Sequence, residues 1–509
     1  MKRIAVLLAS LAVLLLPSNA RPGIILNEDN SHFFTSRTAE AMTLEGLHAF
    51  LDQYADTKVT HLFLCPNSMK ASFKSVTREA IWELGDQKMP EGAGKRWMDN
   101  ARVLHERGLD PYAIWIARAR AKGLSPWLSM RMNDVHDVSD PSSYMHSSFW
   151  VKHPEFWRVP KDTSGGWTAR ALDYGRPEVR AHAMDFVKEL LERYDPDGIE
   201  LDWMRFGWHF REGEEAAGAE LLTRFMREVR DLARTWSAKR GRVIQVAARL
   251  PAHPDAAQGL GMDGVRWARE GLVDLLVPCP FWTSSDFDIP VELWRERLGV
   301  KGAGVKLAPG LEFNSRAWPG DAPVANDLAS TRRFAASAWH RGADRIYLFN
   351  YMDSETIPVS AHDYRILLEQ GLGRDVVFHQ PRRHLQCFHD TVPAGFPNGV
   401  ALPAEGPEAS FTLHIGPKPS AGTLRFVIGL SQKAGVAEAV CTASVNGAAP
   451  IPAGAADLEN PGRFPGTIRA LAFDCPLEEV RDGVNTFTVR LPAGQRIVWA
   501  EVQVEPRPE

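Results

Sequence analysis

Cysteine is scarce in this chain: five in 509 residues, at positions 65, 279, 387, 441 and 475, none in a CxxC pair. That spacing excludes a zinc ribbon or finger and a disulfide-stapled scaffold, and no metal or other cofactor is signalled. An odd number leaves at least one thiol unbridged. Cys441 and Cys475 fall in one C-terminal region and are the pair expected to bridge. Long blocks of one charge are absent as well. With a formal charge of -4 and a pI near 6.5, the chain has no concentrated basic surface, so nucleic acid is not expected as a partner. No glycine-rich loop follows the first strand-like run, which removes a nucleotide cradle, and no GxSxG serine elbow occurs.

Long apolar runs are missing with one exception. Lys2 and Arg3 precede the run Ile4 to Leu16, and Ser18-Asn19-Ala20 supplies small residues for cleavage after Ala20. The pattern predicts a signal peptide over 1–20, too short for a membrane span, and hence a secreted or periplasmic protein. The chain is too long for one simple core, so a large domain with an accessory one is expected.

What is present is alternation. From residue 23 to about 375, short apolar runs alternate with amphipathic stretches such as "RPEVRAHAMDFVKELLERY", which carries Pro177 in its first turn and apolar residues at helical spacing. The runs Gly23-Asn27, Thr60-Cys65, Ser125-Met130, Gly198-Asp202, Val243-Ala247, Val273-Pro278, Val305-Gly310 and Arg345-Phe349 read as eight strands. The α/β alternation predicts a (β/α)8 TIM barrel over 21–377. Two inserts, 66–109 and 131–175, follow strands two and three at the face where barrels keep their chemistry. Beyond 378 the texture changes to "ASFTLHI", "TLRFVIGL", "NTFTVRL" and "IVWAEVQV" between Gly, Pro and Asn-Gly turns. That predicts a C-terminal β-sandwich-like accessory domain over 378–509.

Polar residues collect at the strand ends. Strand one runs into "NEDNSHF", with Asn27, Glu28, Asp29 and His32, and strand three into "RMNDVH", with Arg131, Asn133, Asp134 and His136. Strand four, "GIELDWMRF", puts Glu200 and Asp202 on one face with Arg205 above. Strand five brings Arg249, strand seven Glu312, and strand eight Asn350 and Tyr351. Converging carboxylates and a histidine suit general acid–base work. Three successive strand ends each deliver an arginine (Arg131, Arg205, Arg249), and a guanidinium fork is the preferred partner of a carboxylate, so the substrate is expected to be anionic. The competing expectation is that these arginines neutralise Asp134, Glu200 and Asp202. Without a phosphate cradle, the rim points to glycoside hydrolysis, whose generic pair would be Asp202 and Glu312.

The segment Leu172 to Phe206, with its DGxxLDxxR pattern, resembles strand four of barrel glycosidases. The set "NEDNSHF", "RMNDVH", "DWMRF" and "FNYM" resembles, in order and spacing, the inverting barrel exosialidases of glycoside hydrolase family one hundred and fifty-six. That resemblance implies release of terminal α-linked sialic acid from sialylated glycans by single displacement. His136 is then the Brønsted acid and Asp29 the base that activates water, with Arg131, Arg205 and Asn350 holding the sugar acid. Asn133, Asp134, Asp202, Arg249 and Glu312 fill out the expected binding set. Asp134 or Asp137 would orient the imidazole, and either Glu28 or Asp29 could be the strand-one acid that faces the pocket. A protonated histidine suits a sialoside, because its charge is attracted to the substrate carboxylate and it titrates at about 6.5 when unperturbed. Two other readings stand beside this one: a barrel glycosidase using Asp202 and Glu312 on another glycan, and a non-catalytic glycan-binding protein. Nothing in the sequence decides between a monomer and a homodimer.

Overall fold

The computed structural model describes residues 23–281, 287–351, 361–389, 391–393, 395–396, 399, 401–431, 441–455, 464 and 466–507. The signal peptide expected over 1–20 lies outside the described residues.

Eight parallel strands form a barrel: β1 (Ile24–Glu28), β2 (Val59–Leu64), β3 (Ser125–Arg131), β4 (Gly198–Asp202), β5 (Gln245–Pro251), β6 (Leu275–Cys279), β7 in two segments (Lys306–Leu307 and Gly310–Glu312) and β8 (Ile346–Phe349). Each pairs with the next, and β1 pairs with β8 through Ile24 opposite Ile346. Closure is made by the interrupted β7. Its first segment pairs with β6 and its second with β8. The break falls at Pro309, which has no N–H to give to a ladder. Its carbonyl still accepts from Tyr347 N at 3.1 Å, and Ala308 N donates to Leu276 at 3.0 Å, so the chain passes from one neighbour to the other without leaving the wall.

Period-two alternation sorts the strands into two buried faces. Ile25, Phe63, Trp127, Ala247, Val277, Ala308 and Tyr347 fill the barrel interior. Leu26, Leu62, Leu128, Ile199, Val246, Leu276 and Leu348 turn outward onto the helices. The helices start and stop where local chemistry dictates. Asp110 accepts from Tyr112 N and Ala113 N to cap Pro111–Ala121, Asp327 caps Leu328–His340, and Gly241, in the left-handed region at φ 67°, ends Glu215–Arg240. The strand expected at Val243-Ala247 is displaced: Val243 is 71% exposed and the strand runs on through Arg249 to Pro251.

The C-terminal region begins its sheets at Arg382. A six-stranded antiparallel sheet centres on Gly422–Leu430 and Arg496–Pro506, and a four-stranded one on Glu408–His414 and Val484–Arg490. They face each other through Phe411, Phe426 and Phe487, the last two stacked 5.0 Å apart. The expected bridge between Cys441 and Cys475 is not formed. Cys441 precedes a strand of the smaller sheet and Cys475 follows one of the larger, where its thiol donates to the Phe473 carbonyl at 3.4 Å. This region is clamped to the barrel by the fully buried Arg333 of the helix Leu328–His340. Its guanidinium donates to His384 Nδ1 at 2.6 Å and to the His414 carbonyl at 3.0 Å.

Candidate active site

A cavity of about 300 Å³ opens at the C-terminal ends of β1, β3, β4 and β8. Asp29, His32, Arg131, His136, Arg205 and Asn350 line it on the barrel side. Trp97 and Gly94 come from the helix Gly92–Glu106 of the first insert, and Tyr144 and Met145 from the second. Among the described residues, larger cavities lie on the flank of the barrel (about 800 Å³, around Arg269 and Arg297) and at its opposite end (about 690 Å³, around Gly23 and Asp344). Neither holds any of the residues that the sequence singles out.

Glu28 and Asp29 are separated by the pleat. Glu28 accepts from Tyr54, in the layer outside the strand, at 3.3 Å. Asp29 extends the inward phase of Ile25 and Asn27 and forms an ion pair with Arg131. Burial alone would push its carboxyl up. Arg131, His32, Arg205 and His136 outweigh that and hold it well below the usual carboxylate range, so Asp29 is anionic. Arg131 spans two acids, reaching Asp134 at 3.1 Å on its other side. Asp134 in turn has both oxygens 2.9 Å from His136 Nδ1. Burial opposes its charge too, but His136 and Arg131 again hold it well below the ordinary range. Of the two candidate orienting acids, Asp134 therefore holds the imidazole. Asp137 turns away, at φ 56°, and accepts from Ser143 at 3.1 Å.

The other face of His136 meets Arg205, whose Nη2 is 3.1 Å from Nε2. Arg205 is set there by Asp202, which accepts from the backbone N–H groups of Met204 and Arg205 at 3.0 and 2.8 Å and so turns the chain at the end of β4. Burial and the neighbouring Arg131 lower the Arg205 guanidinium to about 10, still a cation at neutral pH.

The remaining expected binding residues lie outside the cavity lining. Arg249 is engaged in two bonds with Asp202, at 2.8 and 3.0 Å, and lies 3.7 Å over the Phe349 ring, inside the barrel. Here the ion-pair expectation describes the arginine and the substrate-clamp expectation does not. Asn133 joins three segments: its amide donates to the carbonyls of Leu172 and Trp208 at 3.0 and 3.1 Å and accepts from Leu172 N at 2.9 Å. Glu312 is buried beneath Asn350, whose Nδ2 donates to it at 3.2 Å. Burial, only partly offset by Arg205 and Asn350, pushes its carboxyl up to about 8. Asn350 itself adopts φ 58°, the left-handed geometry that asparagine tolerates, and this turns its side chain toward both Glu312 and the cavity. Glu200 also sits within the barrel, accepting from Ser129 at 2.6 Å and Tyr347 at 2.9 Å. Burial first and then repulsion from Asp202 raise it well above the carboxylate range.

The insert aromatics divide by role. Trp150 and Trp157 stack 4.6 Å apart in a small core that pins the second insert to Phe206. Trp97 and Tyr144, which do wall the cavity, carried no signal in the sequence. They reach it because Gly94 leaves room for the Tyr144 hydroxyl, which would stand 2.6 Å from a Cβ there. Among the described residues no group of three His, Cys, Asp or Glu side chains is placed to hold a metal, and no helix is long and apolar enough to cross a membrane.

The sequence matches no family profile and no curated protein. Solved structures resemble the chain distantly. Alpha-L-fucosidase isoenzyme 2 from Paenibacillus thiaminolyticus aligns over 68% of this chain and 48% of its own length, at 14% identity and a TM-score of 0.43. The glycoside hydrolase domain of PgaB (BpsB) from Bordetella bronchiseptica aligns over 68% of this chain and 99% of its own, at 12% identity and a TM-score of 0.41. A glycoside hydrolase family 18 N-acetylglucosaminidase from Paenibacillus barengoltzii aligns over 69% and 100%, at 12% identity and a TM-score of 0.38. This chain thus spans about half the length of the first of them. Likeness at this level carries neither substrate nor mechanism across.

Proposed function

We propose that the protein is a glycoside hydrolase acting on a sugar acid, and specifically an exosialidase that releases terminal α-linked sialic acid by single displacement. One observation carries this reading. The cavity on the catalytic face of the barrel is lined by a single carboxylate, Asp29, against two guanidiniums, Arg131 and Arg205, and two imidazoles, His32 and His136. Asp29 and Asp134 balance the two guanidiniums, so a proton on His136 leaves one positive charge that a substrate bearing its own carboxylate completes.

The chemistry follows from the placement. The sugar carboxylate sits between Arg131 and Arg205. His136, oriented through Nδ1 by Asp134, gives a proton from Nε2 to the glycosidic oxygen as the bond to the anomeric carbon breaks. Asp29 takes a proton from the water that adds to the opposite face, and the β anomer leaves. Proton donation of this kind contributes on the order of 10²–10⁴ in rate. Asp202 and Glu312, the generic pair, are not among the residues that line the cavity.

Proton NMR of the protein acting on a simple α-sialoside tests the proposal. Early appearance of the β anomer is the expected result. An early α anomer overturns single displacement, and no release from folded protein overturns the sialidase reading.

A further inference from the structure

The contact between Arg205 Nη2 and His136 Nε2, at 3.1 Å, has a fixed direction. A guanidinium has donors and no acceptor, so Nε2 must offer its lone pair. The ring proton is then on Nδ1, facing Asp134 at 2.9 Å. The nitrogen that has to deliver a proton to the leaving group is thus held without one.

We propose that Arg205 is a latch on His136, opened by the carboxylate of the substrate. This rests on the sugar-acid reading of the cavity and adds a control to it. Bonded to Nε2, Arg205 keeps the acid unloaded. An incoming carboxylate is a stronger acceptor than a neutral imidazole and accepts two parallel N–H bonds. It draws the guanidinium away, and Nε2 then takes a proton from solvent.

The charges around the ring are balanced, two anions against two cations. Asp134, just beyond β3, meets the ring at Nδ1 and Arg205, in the loop after β4, meets it at Nε2, with the ion pair of Arg131 and Asp29 behind them. The second insert brings His146, whose Nε2 is 3.0 Å from the His136 carbonyl, and Asp137; the ring edge meets Phe206 at 5.1 Å. Adding a proton to His136 sets three cations, with Arg131 and Arg205, against the two anions Asp29 and Asp134, and an added anion restores the balance. A glycoside without a carboxylate leaves the latch closed, so discrimination against it falls on kcat as well as KM.

The test is long-range ¹H–¹⁵N NMR of the histidines in the intact labelled protein near neutral pH. It is run without ligand, with sialic acid and with sialic acid methyl ester, binding being followed by calorimetry. His136 is assigned by its absence from the His136→Gln spectrum. Saturation with the acid is expected to raise the proton-binding constant of Nε2 about tenfold, a shift of one pH unit, while the ester does not. Binding of the acid with an unchanged Nε2 signal overturns the latch and leaves the proposed function standing. Equal protonation by the ester overturns the carboxylate as its operator. If the acid does not bind at all, the latch falls together with the sugar-acid reading.

Discussion

Arg249 grips both oxygens of Asp202 in a parallel fork, Nε at 2.8 Å and Nη2 at 3.0 Å, with both side chains all but closed to solvent. The same carboxylate oxygen that takes Nε also accepts the Arg205 backbone N–H. The strand-five arginine therefore supports the pocket from below, through the acid that sets the β4 turn.

Removing one member of such a pair leaves the other charged and buried. Arg249→Met is expected to cost about 3–5 kcal/mol of stability, read as a lowered urea midpoint. A loss under about 1 kcal/mol would mean that Asp202 readily finds another partner or a proton.

His136→Gln is expected to lower turnover of a sialoside by about 10²–10⁴ with the circular dichroism spectrum unchanged. Glu312→Gln should leave turnover on the same order as the parent. The reverse ranking would restore the generic carboxylate pair.

Two buried acids make stability depend on pH. Glu312 is raised to about 8 and Glu200 is raised as well, against about 4.3 in the unfolded chain. Between those values the folded form binds protons that the unfolded form does not, so each group destabilises the fold as pH rises. The stabilising contribution is complete below the unfolded pKa and lost as pH passes the folded one. Glu200→Gln, which keeps the shape, should flatten the fall in Tm between acidic and mildly alkaline buffer. An unaltered slope would show that Glu200 is already ionised in the fold.

Asn133 ties the second insert to the loop after β4, and Asn133→Ala leaves buried carbonyls and one N–H without it. The expected cost is about 1–3 kcal/mol, concentrated locally. Hydrogen exchange should speed up at Leu172, whose N–H bonds to the asparagine. Uniform exchange across the insert would assign the loop's rigidity to the Trp150–Trp157 core instead.

The barrel was legible because its signal is local. Every strand shows as a short apolar run, and the turns between helix and strand carry their own caps. β5 was misplaced by a few residues because Val243 extends an apolar run that the fold exposes, while the ionisable Arg249 sits within the strand. β7 read as one run, since a proline inside it gives no hint that its two halves serve different neighbours. Asp29, Arg131, His136, Arg205 and Asn350 meet in one cavity because strand ends of a closed barrel are adjacent wherever they fall in sequence. Which arginines face inward toward an acid and which toward the cavity depends on pairings across strands, and sequence position does not record those. Trp97 and Tyr144 reach the site by the long-range path of two inserts, which no periodicity encodes.

The seam between β1 and β8 joins the two ends of the barrel sequence. Ile24 finds its partner, Ile346, only after nearly the whole barrel has left the ribosome. Until then β1 presents an open parallel edge, the kind of surface that recruits wrong partners. Pairings so distant in sequence are also slow to find. Closing that seam brings Asn350, just beyond β8, and Asp29, just beyond β1, to one cavity. The cavity these residues line is thus a property of the shut barrel and of no shorter piece of it.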